Sequence, residues 1–407
     1  MSPSDLLPVP EAKARIRAAF TPVPLEWVGL TEAGGRILAE PLVARRTQPP
    51  VAMSAMDGYA VRHEDATAGA VLGLVGAVAA GGLHEGTVGR GQTVRIFTGA
   101  ALPAGADTVV IQENVTAADG RITIAEASKA VGANVRKAGI DFREGDVKLQ
   151  PGTKLGARHV ALAAAMGHAF LPVRRRPRIA LLATGDELRR PGEALGPTQI
   201  IASNAYGLAA LVRACGAEPV DLGIAPDDRA ALARAAAGAR DCDLLVTIGG
   251  ASVGEHDLIR EVLGQGGASL DFWKIAMRPG KPLMFGETGG VKLLGMPGNP
   301  VSALVCGLLF LTEAIAGLLG TGLSPLPLGE ARLGADLPEN DRREDYLRAR
   351  LSRDEGGRLV ATGFARQDSS MLSTLADADC FIVRPPGAPA APAGSPVPIL
   401  DLTHGTF

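Results

Sequence analysis

Three glycine- and proline-rich loops carry the residues of this chain best suited to chemistry. In the first, LLVTIGGASVGEHD, the apolar run Leu244 to Ile248 reads as a buried strand. It stops at Gly249-Gly250, passes the Ser252 hydroxyl and Gly254, and reaches Glu255-His256-Asp257 where a helix is expected to start. Strand, glycine turn and helix N-terminus together make an anion site. Glycine lets backbone N–H groups approach a ligand, and the helix end adds partial positive charge. An acid there holds a metal beside a phosphate, or simply steadies its own helix dipole. The second loop, Arg278-Pro-Gly-Lys281-Pro, holds a cation between stiff neighbours. One such Lys about 4 Å from an anion is worth about 4 kcal/mol at an effective dielectric of 20. The third loop, Met296-Pro297-Gly-Asn-Pro300, precedes a long apolar stretch. Asn299 at an N-cap and Pro300 at the first helical position explain that pair structurally, while the repeated Pro-Gly loop favours a ligand role. Glu187, in Thr184-Gly-Asp-Glu187, follows another apolar run, where it either caps a turn or faces a ligand.

These loops need a scaffold that brings them together. From Ile179 onward the pattern alternates: strand 179–183, helix 204–215, strand 219–223, helix 229–240, strand 244–248, helix 256–263. Alternation of this kind predicts a parallel sheet with helices on both faces. Its ligands bind outside the carboxyl ends of the strands, so the Glu187 and Gly249–Asp257 loops should face one crevice. Residues 46–140 carry short β-like runs at 58–61, 71–78, 93–97, 108–112 and 121–124 between glycine-rich turns, which predicts a compact β domain. Residues 1–45 read as mostly helical. A helix over 157–166 is expected to pack with them, making the β region an insertion. The domains expected are therefore 1–45 plus 141–177 (helical and mixed, for linkage and dimerisation), 46–140 (inserted β), 178–326 (α/β) and 327–407 (a small β barrel or sandwich). In the β region, Asp57-Gly, Thr98-Gly and Asp141 read as turn residues.

Composition sets the outer limits. The 407 residues are 46% hydrophobic but only 4% aromatic, so the cores must be aliphatic. A net charge of −2 argues against a nucleic-acid binder, which carries a basic face. The four cysteines lack CxxC spacing, and the first twenty residues lack a basic and apolar leader, which together predict a cytoplasmic protein. The apolar stretch 301–319 contains Glu313 and is expected to be a buried helix, not a membrane span. The six histidines show no metal spacing, and no Ser-His-Asp, GxGxxG or Walker A signature is present.

Seven segments, in order, resemble the MoeA family, the molybdopterin molybdenumtransferases related to the E domains of gephyrin and its plant counterpart. They are SAMDGYA (54–60), IFTGA with GADTVV (96–110), VRKAGID (135–141), ATGDEL (183–188), GGASVGEHD (249–257), FWKIAMRPGKP (272–282) and GMPGNPVSA (295–303). The resemblance implies a multidomain α/β protein. Its parts would be a central doubly wound α/β domain like the molybdopterin adenylyltransferases, a β-rich insertion, a helical and mixed N-terminal domain, and a C-terminal β-barrel-like domain. It implies insertion of molybdate into adenylylated molybdopterin with release of AMP, assisted by Mg²⁺, in a cytoplasmic homodimer. Other proteins of molybdenum cofactor synthesis are implied as partners.

Position by position, the resemblance assigns catalytic roles to Asp57, Thr98, Asp141, Glu187, Asp227 and Asp257. Glu187, Asp227 and Asp257 would hold the metal. Lys274, Arg278, Lys281, Pro297, Pro300 and Ser302 would bind substrate beside Ser252, and Arg348 and Ser369 would serve the molybdate site. Cationic groups suit a substrate made of a diphosphate, two sulfurs and an oxyanion, and molybdate as attacking oxyanion needs no protein nucleophile. Two positions depart from the family: Arg278 stands where Lys is common, and Arg366-Gln-Asp368-Ser-Ser replaces Gly-x-Gln-Gly-Ser. The alternatives are an adenylyltransferase that makes the adenylylated intermediate, or a non-catalytic cofactor-binding scaffold. The first is told apart by adenylylation of molybdopterin from ATP.

Overall fold

The computed structural model describes residues 6–249, 269–322 and 328–403. The chain forms two compact units, one of Met1–Glu26, Gly35–Ala39 and Val173–Phe407, the other of Trp27–Gly34 and Glu40–Pro172.

The first unit is built on a six-stranded sheet. Its strands lie in the order Glu218–Ala225, Arg178–Thr184, Leu244–Ile248, Val291–Met296, Met284–Thr288, Ser269–Trp273. The first four are parallel. The near-continuous apolar runs of Arg178–Thr184 and Leu244–Ile248 follow from burial on both faces. Ile179, Leu181, Val246 and Ile248 pack against Leu208, Leu211 and Val212 of the helix Ser203–Ala214. Ala180, Leu182 and Leu245 face the opposite core with Ala235 and Ala236 of the helix Arg229–Ala237. The last two strands are antiparallel, which corrects the expectation of a purely parallel sheet. Gly289-Gly290, both at positive φ, forms a two-residue hairpin turn that folds Met284–Thr288 back on Val291–Met296. The predicted helix 256–263 lies outside the described residues.

The stretch 300–319 is helical and interrupted: Pro300–Cys306, a π-helical turn Gly307–Leu311, then Thr312–Leu319. It is long and apolar enough to cross a membrane by length and composition, but 89% of that window is buried inside the protein. Its one acid, Glu313, is buried and ion-paired with Arg17 at 2.6 Å and Lys13 at 3.3 Å. Both cations lie on the helix Val9–Ala18, which packs on Thr312–Leu319. The expectation for 1–45 is corrected accordingly. That stretch holds one α-helix, a 3-10 turn at Leu30–Glu32 and the short strands Leu25–Gly29 and Leu42–Val43, and its α-helix packs on the α/β layer. Ala157–Ala165 belongs to the second unit.

After residue 327 five strands close a barrel. Around the ring they run Glu344–Arg353, Leu359–Gly363, Leu328–Leu333, Pro396–Asp401 and Cys380–Arg384, which returns to the first. Small core residues such as Ala331, Ala349 and Ala361 suit so narrow a ring. The short strand Met277–Arg278 of the α/β region pairs in parallel with Glu344 and Asp345, joining the barrel to the layer. None of the four cysteines forms a disulfide among the described residues.

The second unit carries another six-stranded sheet, ordered Thr108–Ile111, Gly58–Val61, Gln92–Ile96, Val71–Val78, Arg121–Ile124, Val115–Ala118. Five of these match the expected runs. Val115–Ala118 was not expected, because its Val-Thr-Ala-Ala sequence is short and mostly exposed.

Glu313 supplies a test. With both cations removed (Lys13→Met/Arg17→Met), its buried carboxylate is uncompensated, and stability should fall by about 1–3 kcal/mol. Adding Glu313→Leu should recover most of that loss. Urea unfolding of the three proteins measures it, and a double variant as stable as the parent would show that the ion pairs contribute nothing.

Candidate functional site

Parallel register aligns the strand ends: Ala183 sits beside Ile248, and Ile248 beside Met296. Past those ends the chain opens a cavity of about 880 Å³. Gly249, at φ +99, is a tight point of its wall against neighbouring backbone. A Cβ there would lie 2.7 Å from the Thr184 carbonyl oxygen, and Gly298 packs against the Gly249 Cα. Only glycine fits such an approach with that backbone. The Gly249 N–H donates to the Met296 carbonyl at 3.0 Å. The Asn204 amide donates to the Gly298 carbonyl at 2.7 Å, which ties the third loop to the first turn of Ser203–Ala214.

Glu187 and Asp227 both line this cavity. Gly185 makes room for the Glu187 carboxylate, which would lie 2.5 Å from any Cβ at that position. The Asp186 carboxylate accepts the Asp227 N–H at 3.2 Å and so links the two acidic loops. Lys281 lines the cavity as well, and among the described residues no acid pairs with its ammonium. Its loop is held by the Ile275 N–H donating to the Lys281 carbonyl at 2.9 Å. Pro297, Asn299 and Pro300 complete that side. The Thr184 hydroxyl is buried in the wall with no hydrogen-bond partner among the described residues.

The barrel contributes the remaining wall through Ser370. Arg348, 1% exposed, organises its loop. The Arg348 guanidinium donates to the Gln367 side-chain oxygen at 3.2 Å and to the Met371 carbonyl at 3.1 Å, and burial lowers its pKa. Ser369 then meets the start of the helix at Pro300. The Val301 N–H donates to the Ser369 carbonyl at 3.0 Å, and the Asn299 amide donates to the Ser369 hydroxyl at 3.0 Å. Asn299 occupies the N-cap position without capping its own helix, because the barrel loop takes that role.

The other sequence-derived positions lie elsewhere. The Arg278 guanidinium grips the buried Asp345 through Nε at 2.8 Å and Nη2 at 2.5 Å, and Asp345 raises its pKa. It joins the layer to the barrel and is not part of the cavity lining. The Lys274 ammonium stacks on the Trp273 ring at 4.0 Å, on a backbone at φ +75. Ser302 is buried in the first turn of its helix. Ser252 and Asp257 lie outside the described residues.

In the second unit, Asp57 and Thr98 meet. The Asp57 carboxylate accepts the Thr98 N–H at 2.7 Å and its hydroxyl at 2.8 Å, and these bonds hold its pKa below the ordinary carboxylate value. Pairing of Gly58 with Ile96 brings the two loops side by side. Asp141 is exposed, with its N–H on the Gln48 carbonyl. Among the described residues no three acids, histidines or cysteines cluster to hold a metal; the third expected metal ligand, Asp257, lies outside them. Sequence reasoning passed over Asn204 and Ser370. Neither sits in a glycine-rich loop, and only tertiary packing carries them to the cavity.

Comparison with known proteins follows this organisation. Residues 7–167 match the MoeA N-terminal region (domain I and II), residues 180–317 a probable molybdopterin binding domain, and residues 330–402 the MoeA C-terminal region (domain IV). The molybdopterin molybdenumtransferase of Haemophilus influenzae is 36% identical, covering 94% of this chain and 95% of its own length. That of Nostoc sp. is 35% identical over 97% and 94%. A molybdopterin biosynthesis MoeA protein of Pyrococcus horikoshii superposes with a TM-score of 0.80 at 28% identity, covering 98% of this chain and 100% of its own. With such similarity along nearly its whole length, the chain belongs to the molybdopterin molybdenumtransferase (MoeA) family.

Proposed function

We propose that this chain inserts molybdate into adenylylated molybdopterin and releases AMP, the last step of molybdenum cofactor synthesis. The observation that carries the reading is the single cavity in which Glu187 and Asp227 face Lys281 and the helix start at Pro300, in a chain of this family. A diphosphate ester and an oxyanion need a cation and room for two ligands. The cavity offers both.

Lys281 presents its ammonium to an anionic oxygen from a loop pinned by its own carbonyl. The buried Thr184 hydroxyl, without a hydrogen-bond partner among the described residues, adds a donor at the wall. Glu187 and Asp227, with Asp257 as the third ligand expected from the sequence, suit a hard divalent cation by donor type. Mg²⁺ held there would supply Lewis-acid polarisation of the bridging phosphoryl oxygen. Molybdate itself brings the attacking oxygen, so the protein's task is to hold both anions in line and exclude water.

The protein is further proposed to be cytoplasmic and to work as a homodimer. In that assembly the joined Asp57–Thr98 loops of one protomer would serve the α/β cavity of its partner. Their hydrogen-bonded geometry, in a unit whose loops carry family motifs, supports this reading.

Supplying adenylylated molybdopterin, Mg²⁺ and molybdate and measuring AMP together with active cofactor tests the function. Molybdate-dependent AMP release is expected. Adenylylation of molybdopterin from ATP, with no such release, would assign the chain to the preceding reaction instead. Glu187→Ala and Asp227→Ala should each lower the rate by roughly a hundredfold or more while leaving the circular dichroism unchanged. Turnover at the parental rate would remove either acid from the mechanism. Lys281→Ala should raise the molybdate needed for half-maximal rate by about ten- to a hundredfold, the cost of one charge-assisted hydrogen bond. Its effect on the adenylylated pterin should be smaller, because that affinity is spread over many contacts; the reverse pattern would place Lys281 at the other subsite. Light scattering should give the mass of a dimer, and an active monomer would defeat that part of the proposal.

A further inference from the structure

Ser370 is the barrel's contribution to the cavity lining, and its hydroxyl is not free. The Asp368 carboxylate oxygen Oδ1 accepts both the Ser370 N–H at 2.8 Å and the Ser370 Oγ–H at 2.6 Å. The serine proton is therefore spent on a carboxylate, and only oxygen lone pairs remain for the cavity. This wall presents an acceptor backed by a full negative charge, opposite to what an oxyanion seeks. Arg348 is near enough to Asp368 for mutual attraction, but among the described residues the two form no ion pair, and the buried guanidinium donates through Nε to Gln367 and through Nη1 to the Met371 carbonyl. From this we infer that Asp368 is a specificity-determining residue acting through Ser370: it weakens oxyanion binding at the barrel wall of the cavity. The inference rests on the reading of that cavity as the site of molybdate and the adenylylated pterin.

Asp368 is separable from the loop's framework. The backbone course of 366–371 is held by Gln367, whose side chain bonds the Arg348 N–H at 3.1 Å, the Arg348 carbonyl at 2.9 Å and the Phe364 carbonyl at 3.0 Å. It is held again by Ser369 on Asn299 and Val301. Asp368 is exposed and takes part in none of these contacts. Its replacement should release the serine hydroxyl and remove the charge, losing also the bond from the Ser370 N–H, while Gln367 and Ser369 keep the loop in place.

Calorimetric titration of the full chain with molybdate alone, at low and at high salt, tests the inference alongside AMP-release kinetics. Asp368→Ala should tighten molybdate by about three- to tenfold at low salt, less at high salt where charge is screened. Its maximal rate with saturating molybdate should stay unchanged. Asp368→Asn, neutral but still an acceptor for Ser370, should recover only part of that gain. Ser370→Ala added to Asp368→Ala should abolish the part owed to the freed hydroxyl. Unchanged molybdate affinity in Asp368→Ala, or a double variant that keeps the whole gain, overturns the inference. If the parent protein releases no AMP, the functional reading fails by itself, and the titration still reports whether this wall discriminates against an oxyanion.

Discussion

The close approach at Gly249 is the constraint on which the cavity depends. Three parallel strands end in register there. The next residue must turn without a side chain, because the Thr184 carbonyl occupies the space a Cβ would need. That tightness lets the Thr184–Glu187 loop and the Met296–Pro300 loop face each other across one strand end. A larger residue would push them apart and separate Glu187 from Lys281 and Pro300. Parallel pairing matters for the same reason. In an antiparallel neighbour alternate strand ends would point away, and the loops that carry acids and cations would lie on opposite edges.

Buried charge joins the pieces around that layer. Glu313 enters an apolar helix and brings the N-terminal helix with it through Lys13 and Arg17. Asp345, the second residue of the barrel strand Glu344–Arg353, captures Arg278 from the layer. Arg348, nearly inaccessible, is satisfied by Gln367 and by the Met371 carbonyl. In each case burial makes an unpaired charge costly, so the partner's position is tightly specified. These contacts add registration as well as stability: they decide where the barrel loop meets the helix start at Pro300.

Arg278 and Arg348 show how such registration bears on function. Both are cations in motifs that suggest anion binding, yet here Arg278 Nε and Nη2 and Arg348 Nε and Nη1 are engaged by protein groups. They hold elements around the cavity, whereas Lys281 has no acid partner among the described residues. Charge in a motif is therefore an incomplete guide to its use; the local competition for its hydrogen bonds decides.

The sequence by itself determined the alternating layer, the strand Leu244–Ile248 to the residue, and the three loops around Glu187, Lys281 and Pro300. These are local properties: apolar runs of strand length, glycine turns and Pro-Gly stiffness are all written in neighbouring residues. It also carried the Gly289-Gly290 hairpin signal, which the alternation pattern obscured. Tertiary structure alone decided that the first helix packs on Thr312–Leu319, that Asn299 bonds Ser369 instead of its own helix, and that Asn204 and Ser370 reach the cavity. Each of these joins residues far apart in the chain, and nothing in the local sequence ranks one distant partner above another. Only the closed barrel and the registered sheet limit which side chains can meet.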